Sequence, residues 1–196
     1  MMNAFRLILA SSSPRRAALL RQLGLDFEVI PSSVDEYVNG YKSPIKLVLS
    51  LSQQKAREVA GKVAEGIIVG ADTLVVFDGK QLGKPRDKME AKEMLRKLSG
   101  NEHCVYTGFT LVHMPSRTWV SDYEVTRVKF RELSPAEIDA YVKSGSCFDK
   151  AGAYGIQDDF GAVFVERIDG CYYNVVGFPL TKFYVTLQKF QRSIIE

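Results

Sequence analysis

The stretch Phe5-Arg6-Leu7-Ile8-Leu9-Ala10-Ser11-Ser12-Ser13-Pro14-Arg15-Arg16 sets the architecture. Phe5 to Ala10 is an apolar run of the length of a buried strand. Ser13 is a helix N-cap and Pro14 suits the first helical position. The spacing therefore predicts a strand that passes directly into a helix N-terminus. Such a terminus offers backbone N–H groups without intrahelical partners and a partial positive charge. Arg15 and Arg16 add planar cations that match phosphate oxygens. The stretch reads as a polyphosphate site. The plainer alternative is a capped helix with two solvated arginines. The common phosphate loops, GxxxxGK[ST] and GxGxxG, do not occur in the chain.

Composition narrows the classes. The 196 residues suit one domain, or one domain with two lobes around a cleft, and are 46% hydrophobic and 25% charged. A net charge of +3 fits local basic sites better than a surface for a nucleic-acid polymer. Cys104, Cys147 and Cys171 form no CxxC pair, which argues against a zinc site or disulfide framework and suits a reducing cytosol. No apolar stretch reaches the roughly 18–20 residues of a membrane span. The N-terminal apolar run is too short to read as a signal peptide. His103 and His113 are the only histidines, so a catalytic base or metal ligand is expected to be a carboxylate.

Further along, periodicity predicts a helix from about Pro14 to Leu23 with Gly24 as its stop, then a short strand over Phe27 to Pro31. Ser32 to Glu36 is a polar loop. Its Asp35 and Glu36 either bind Mg²⁺ or are a solvated acidic pair. Ser43-Pro44 opens a second helix, about Ile45 to Ala60, which carries Lys55 and Arg57. Ile67 to Phe77 is the most strand-like run in the chain, and Asp72 sits inside it. A buried unpaired carboxylate is costly. The expectation is therefore a run broken at Gly70-Ala71, with Asp72 facing a cleft.

Asp78-Gly79 is a hairpin turn signal, with Gln81-Leu82 as the return strand. Lys84 precedes Pro85, which biases it to an extended backbone. Asp87 to Glu90 is a capping-box pattern opening a helix to about Leu98. Two long strands, about Cys104 to His113 and Thr118 to Arg131, follow, the first interrupted at Thr107-Gly108. Ser134 to Glu137 is a second capping box. Phe148 to Gly161 is a Gly-rich polar loop, either a binding loop or a connector. Ala162 to Ile168 and Cys171 to Val176 read as strands, and Pro179 begins a final helix through about Phe190.

The functional candidates are cations, Arg15, Arg16, Lys55 and Lys84, and two carboxylates, Glu36 and Asp72. This set suits hydrolysis of a polyphosphate. A free aspartate, with a pKa near ~3.9, is a poor base at neutral pH by roughly 4 kcal/mol. It needs partial burial or a metal that acidifies the attacking water.

The chain resembles the Maf family of nucleotide pyrophosphatases. The resemblance rests on Ala10 to Arg16, Val34-Asp35-Glu36, Gly70-Ala71-Asp72-Thr73, Leu82-Gly83-Lys84-Pro85, Leu98-Ser99-Gly100, Thr107-Gly108, Lys150 to Gln157 and Asn174-Val175-Val176-Gly177. It implies an α/β fold: an elongated, mixed, twisted sheet with flanking helices, in two lobes around a central cleft, related to the inosine-triphosphatase group. It implies cleavage of a nucleoside triphosphate between the α- and β-phosphates with a divalent cation, Mg²⁺ or Mn²⁺. Asp72 matches the proton acceptor. Ser11, Arg15, Arg16, Lys55 and Lys84 match the phosphate-site residues, and Glu36 matches the metal-side carboxylate beside Asp72. Arg15, Thr73 and Gln157 resemble the set in members acting on dTTP and UTP, some of which take modified uridine nucleotides. Members acting on 7-methyl-GTP carry Gln after the Asp. The same resemblance implies a homodimer, while composition points to a cytosolic protein with no membrane or nucleic-acid-polymer partner. It leaves two rival readings, a 7-methyl-GTP pyrophosphatase and a non-catalytic nucleotide-binding regulator of septum formation.

Overall fold

The structure, a computed structural model, describes residues 5–34, 43–157 and 160–196. Asp35, Glu36, Asp158 and Asp159 lie outside the described residues. The elements run β1 (Leu7–Leu9), α1 (Pro14–Gln22), β2 (Glu28–Val29), α2 (Pro44–Ala60), β3 (Gly66–Phe77), β4 (Lys80–Leu82), α3 (Lys88–Leu98), β5 (Glu102–Met114), β6 (Trp119–Phe130), α4 (Pro135–Ser144), β7 (Val165–Asp169), α5 (Tyr172–Val176) and α6 (Leu180–Ile195). The strands form one mixed sheet of order β2-β1-β3-β5-β6-β7, with β4 paired to β3. β1 runs parallel to both β2 and β3, while β3/β4 and β6/β7 are antiparallel. Parallel neighbours require crossovers, and α1 and α2 supply them.

The chain divides into two compact units, residues 1–73 with 107–124 and 177–196, and residues 74–106 with 125–176.

In the first unit, Leu7, Ile8 and Leu9 pair with Ile67, Ile68 and Val69. These central strands carry continuous apolar runs because both faces are covered. Helix α2 lies against them through Ala56, Val59 and Ala60, which join Ile8, Ala10, Ile68 and Val112 in one buried cluster. Two glycines allow that approach. A Cβ on Gly70 of β3 would sit 2.2 Å from the Ser52 carbonyl oxygen and 2.6 Å from the Ala56 nitrogen. A Cβ on Gly108 of β5 would sit 2.6 Å from the Val48 carbonyl. Both positions must lack a side chain for α2 to rest on the sheet. The expected break at Gly70-Ala71 is thus not present: β3 is continuous, and Gly70 marks a helix contact. β5 is likewise uninterrupted at Gly108. Elsewhere in this unit Phe109, Phe178 and Phe183 pack with ring centroids 4.8–6.0 Å apart.

In the second unit, the turn between β3 and β4 has positive φ at Asp78 (49°) and Gly79 (69°), the primed geometry its sequence signals. Helix α3 is capped by Asp87, which accepts from the N–H groups of Met89 and Glu90. The expected box is only half made there. Glu90 turns instead to Arg86, accepting from its backbone N–H and its guanidinium. At α4 the box is complete, with Ser134 and Glu137 bonding reciprocally. Glu137 also takes the Arg131 guanidinium, and these bonds hold its carboxyl down at about 2. His103, Phe130, Tyr141, Tyr154 and Phe164 form the aromatic centre of this unit.

Residues 172–176, read as a strand, are the short helix α5. The override is tertiary. The buried Asn174 amide donates to the Val105 carbonyl of β5 and the Thr126 hydroxyl of β6, 3.0 and 2.9 Å away. Thr126 in turn bonds both the N–H and the carbonyl of Cys171. Residues 161–164 are a 3₁₀ turn, so β7 begins only at Val165, and α6 runs on to Ile195.

Candidate active site

Helix α1 begins as its sequence signals. The Ser13 hydroxyl accepts from the Arg16 N–H, Pro14 takes the first turn, and no acidic residue lies there. Ser11, directly after β1, is buried, and its hydroxyl accepts from the Ser13 N–H at 3.2 Å. Arg15 is partly exposed.

Arg16 is 9% exposed. Its guanidinium joins three elements. Nε donates to the Gly177 carbonyl at 3.1 Å, one terminal nitrogen to the Ser11 hydroxyl at 3.2 Å, and the other to the Thr73 hydroxyl at 3.0 Å. Gly177 has φ 127°, a conformation that turns its carbonyl to this cluster at no steric cost only in glycine. The fork geometry of guanidinium makes such a three-way junction possible, where a lysine would supply one point charge.

Asp72 and Lys55 are a buried ion pair. Nζ lies 2.7 Å from Oδ1, with 4% and 6% of the two residues exposed. Asp72 was anomalous in the sequence because a strand interior cannot hold a lone carboxylate. The structure resolves this with the cation from α2, one residue before the Ala56 that rests on Gly70. Lys55 thus holds one oxygen of the carboxylate. Arg57, two residues further on, is exposed and stacks over the Trp119 ring at 5.3 Å.

Helix α2 also anchors the loop that leads toward Glu36. Glu58 accepts from the N–H and hydroxyl of Ser33, and it pairs with Lys62. Hydrogen bonds from Lys62, Ser32 and Ser33 hold its carboxyl down at about 2. Glu36 itself lies outside the described residues, so its expected metal-side place has no geometry here.

In the second unit, Lys84 and Gln157 are exposed. Their loops are tied together, since the Gly152 N–H donates to the Gly83 carbonyl at 3.0 Å. Pro85 is buried, so Lys84 projects from a fixed root. The stretch Lys150 to Gln157 is a built loop. Lys150 is buried and bonds Asp149 and the Ser146 carbonyl. Ala153 takes the left-handed region at φ 60°, a strained position for alanine. Tyr141 accepts from the Gly155 N–H, and Tyr154 bonds His103 at 2.8 Å.

The structure therefore brings together Ser11, Arg16 and Thr73, and separately Lys55 and Asp72, all within the first unit. Lys84 and Gln157 belong to the second. Sequence reasoning did not place Thr107, whose hydroxyl bonds that of Thr73 at 2.9 Å, or the Gly177 carbonyl in this network. Each stood in a motif, but nothing local marks a hydroxyl or a carbonyl as a network member.

Among the described residues no group of three His, Cys, Asp or Glu side chains could enclose a metal ion. Mg²⁺ is characteristically held by one or two carboxylates together with phosphate oxygens of a substrate, rather than by an all-protein cage. A single buried carboxylate, Asp72, beside a cationic helix start has the donor chemistry for that mode.

A helix N-terminus with arginines, and a buried carboxylate–ammonium pair that joins β3 to α2, stand on one α/β framework. The family model described as Maf-like protein matches residues 6–190, and the chain belongs to that family. It is 51% identical to the dTTP/UTP pyrophosphatase of Carboxydothermus hydrogenoformans over 184 residues, covering 94% of this chain and 98% of the relative. It is 49% identical to that of Ruminiclostridium cellulolyticum over 191 residues, covering 97% and 98%, and 48% identical to that of Bacillus anthracis over 189 residues, covering 96% and 97%. The solved structure of a HAM1 protein from Coxiella burnetii shares the fold, with a TM-score of 0.51 at 16% identity over 94% of this chain and 99% of that one.

Proposed function

We propose that this protein is a nucleoside triphosphate pyrophosphatase that hydrolyses dTTP and UTP, with modified uridine triphosphates as further substrates. The observation that carries the reading is the buried Lys55–Asp72 pair at 2.7 Å, a carboxylate and an ammonium of the kind that hydrolysis of a polyphosphate uses. Relatives about half identical over nearly the whole chain carry that activity in their names.

In this reading the α1 N-terminus, with Ser11, Arg15 and Arg16, neutralises and orients the triphosphate together with Lys55 and Lys84. Asp72 takes a proton from water as the water oxygen bonds phosphorus. The bond bridging the α- and β-phosphates breaks, and monophosphate and pyrophosphate leave. Asp72 then returns its proton to solvent. Glu36 and Asp72 are the residues that would hold Mg²⁺ or Mn²⁺, which when bound offsets the phosphate charge. Arg15, Thr73 and Gln157 set the choice of base. Gln157, with an amide donor and acceptor, matches a pyrimidine imide edge.

Among the described residues no helix is long and apolar enough to cross a membrane. Cys104, Cys147 and Cys171 are all free thiols, in keeping with the cytosolic site this reading assigns. The homodimer rests on the family resemblance, and light scattering of the purified protein tests it.

A substrate panel with pyrophosphate detection, run with and without chelator, tests the activity. The expected result is release from dTTP and UTP, abolished by chelator and by Asp72→Asn. Release from 7-methyl-GTP alone assigns the other subfamily. Binding without release from any nucleotide overturns the enzymatic reading in favour of a regulator.

A further inference from the structure

We propose that Thr107 is a positioning residue for substrate selection, acting through Thr73. The proposal rests on the dTTP/UTP reading above, in which Thr73 takes part in the choice of base.

The argument is a count of lone pairs and protons. A threonine hydroxyl has one proton to give and two lone pairs. The Thr73 hydroxyl donates to the Gly177 carbonyl at 3.2 Å and accepts from Arg16 at 3.0 Å. Its third contact is the Thr107 hydroxyl at 2.9 Å. Giving the Thr73 proton to Gly177 makes Thr107 the donor in that pair, one of the two arrangements that the 2.9 Å contact allows and the one on which the proposal stands. The hydroxyl of Thr73 is then saturated by the protein. A base could reach it only by displacing one of these partners. Thr73 therefore influences selection by where it holds Arg16 and the Gly177 carbonyl, rather than by reading the base itself. Thr107 is 0% exposed, so it cannot touch substrate. It is nevertheless the donor that fixes the orientation of Thr73. All four groups lie in the first unit.

The test compares kcat/KM for UTP and for 7-methyl-GTP in Thr73→Val, Thr107→Val, Thr107→Ser and the double valine variant. Thr107→Val keeps the shape and removes the donor, whereas Thr107→Ser keeps the donor. One hydrogen bond predicts that Thr107→Val changes the ratio roughly two- to tenfold, in the same direction as Thr73→Val. Thr107→Ser should restore the wild-type ratio. The double variant should change it no more than the larger single variant, because both remove one link of one network. Thermal unfolding checks each variant, and Thr107→Ala is read in place of Thr107→Val should that protein not fold.

A Thr73→Val protein with altered ratio beside folded Thr107→Val or Thr107→Ala proteins with the wild-type ratio overturns the proposal and leaves the dTTP/UTP reading standing. The same holds for a Thr107→Ser protein as altered as Thr107→Val, which reports packing alone. A Thr73→Val protein with unchanged ratio refutes Thr73's part in selection and the proposal with it. A wild-type protein that hydrolyses no nucleotide refutes both.

Discussion

Lys55→Met is the substitution that most directly examines the buried pair. It leaves the Asp72 carboxylate inside the protein, 4% exposed, without the ammonium that lies 2.7 Å from it. Removing one partner of such a pair costs about 3–5 kcal/mol, because the survivor stays buried without the charge that offset its desolvation. The whole domain has roughly 5–15 kcal/mol of stability, so this is a large share. For a chain of this size each kcal/mol moves the melting temperature by about 2–4 °C, giving a fall of roughly 6–20 °C. Asp72→Asn leaves the opposite charge and should fall within the same range. The double variant Lys55→Met/Asp72→Asn buries no charge and should recover most of the loss. Urea unfolding followed by circular dichroism at neutral pH measures all three. Pyrophosphate release should be lost in all three, so stability and turnover separate in the double variant. A Lys55→Met protein within about 1 kcal/mol of wild type, or a double variant less stable than both single ones, refutes the argument.

Two further outcomes are expected. His103 is 2% exposed and bonds Tyr154, and burial holds its imidazole down at about 4 from an ordinary 6.5. The native state keeps it neutral while the unfolded chain takes up a proton. Its contribution to stability is therefore complete above about pH 6.5 and is lost as pH falls toward 4, by up to about 3 kcal/mol. Unfolding midpoints across that window should slope less in His103→Phe than in wild type. Gly70→Ala drives a Cβ to 2.2 Å from the Ser52 carbonyl and should cost about 1–3 kcal/mol or more, with activity falling as α2 carries Lys55 away. Gly61→Ala, whose nearest neighbour would be 3.5 Å away, is the control and should stay within about 0.5 kcal/mol by thermal melt.

Helix starts were legible because their determinants are local. Ser13, Ser43, Asp87 and Ser134 each cap the helix that their sequence announces. What failed depended on partners distant in sequence. Cys171 to Val176 is rich in residues that favour strands, yet Asn174 is held by Val105 and Thr126 and the segment coils into α5. Gly70 looked like an interruption because the helix it accommodates is not visible in the strand. Asp72 was found as an anomaly and Lys55 as a candidate, but the ion pair joining them across 17 positions is a product of the fold. Arg16 shows the same limit. Its charge suggested phosphate, while its bonds to Ser11, Thr73 and Gly177 make it also a junction of the site's frame.

The two glycines beneath α2 have a bearing on how freely such a sequence can drift. A lysine side chain has a fixed reach, and Lys55 meets Asp72 only while α2 sits at the depth that Gly70 and Gly108 permit. One added methyl at either glycine acts as a spacer of about 1.5 Å, comparable to the margin between an ion pair and a gap. Two backbone positions in the sheet are in this way tied to a buried ionic contact on the helix above them. Change at the two glycines, at Lys55 and at Asp72 has to be concerted, and a designer wishing to detune the carboxylate has a dial in the helix floor rather than in the site.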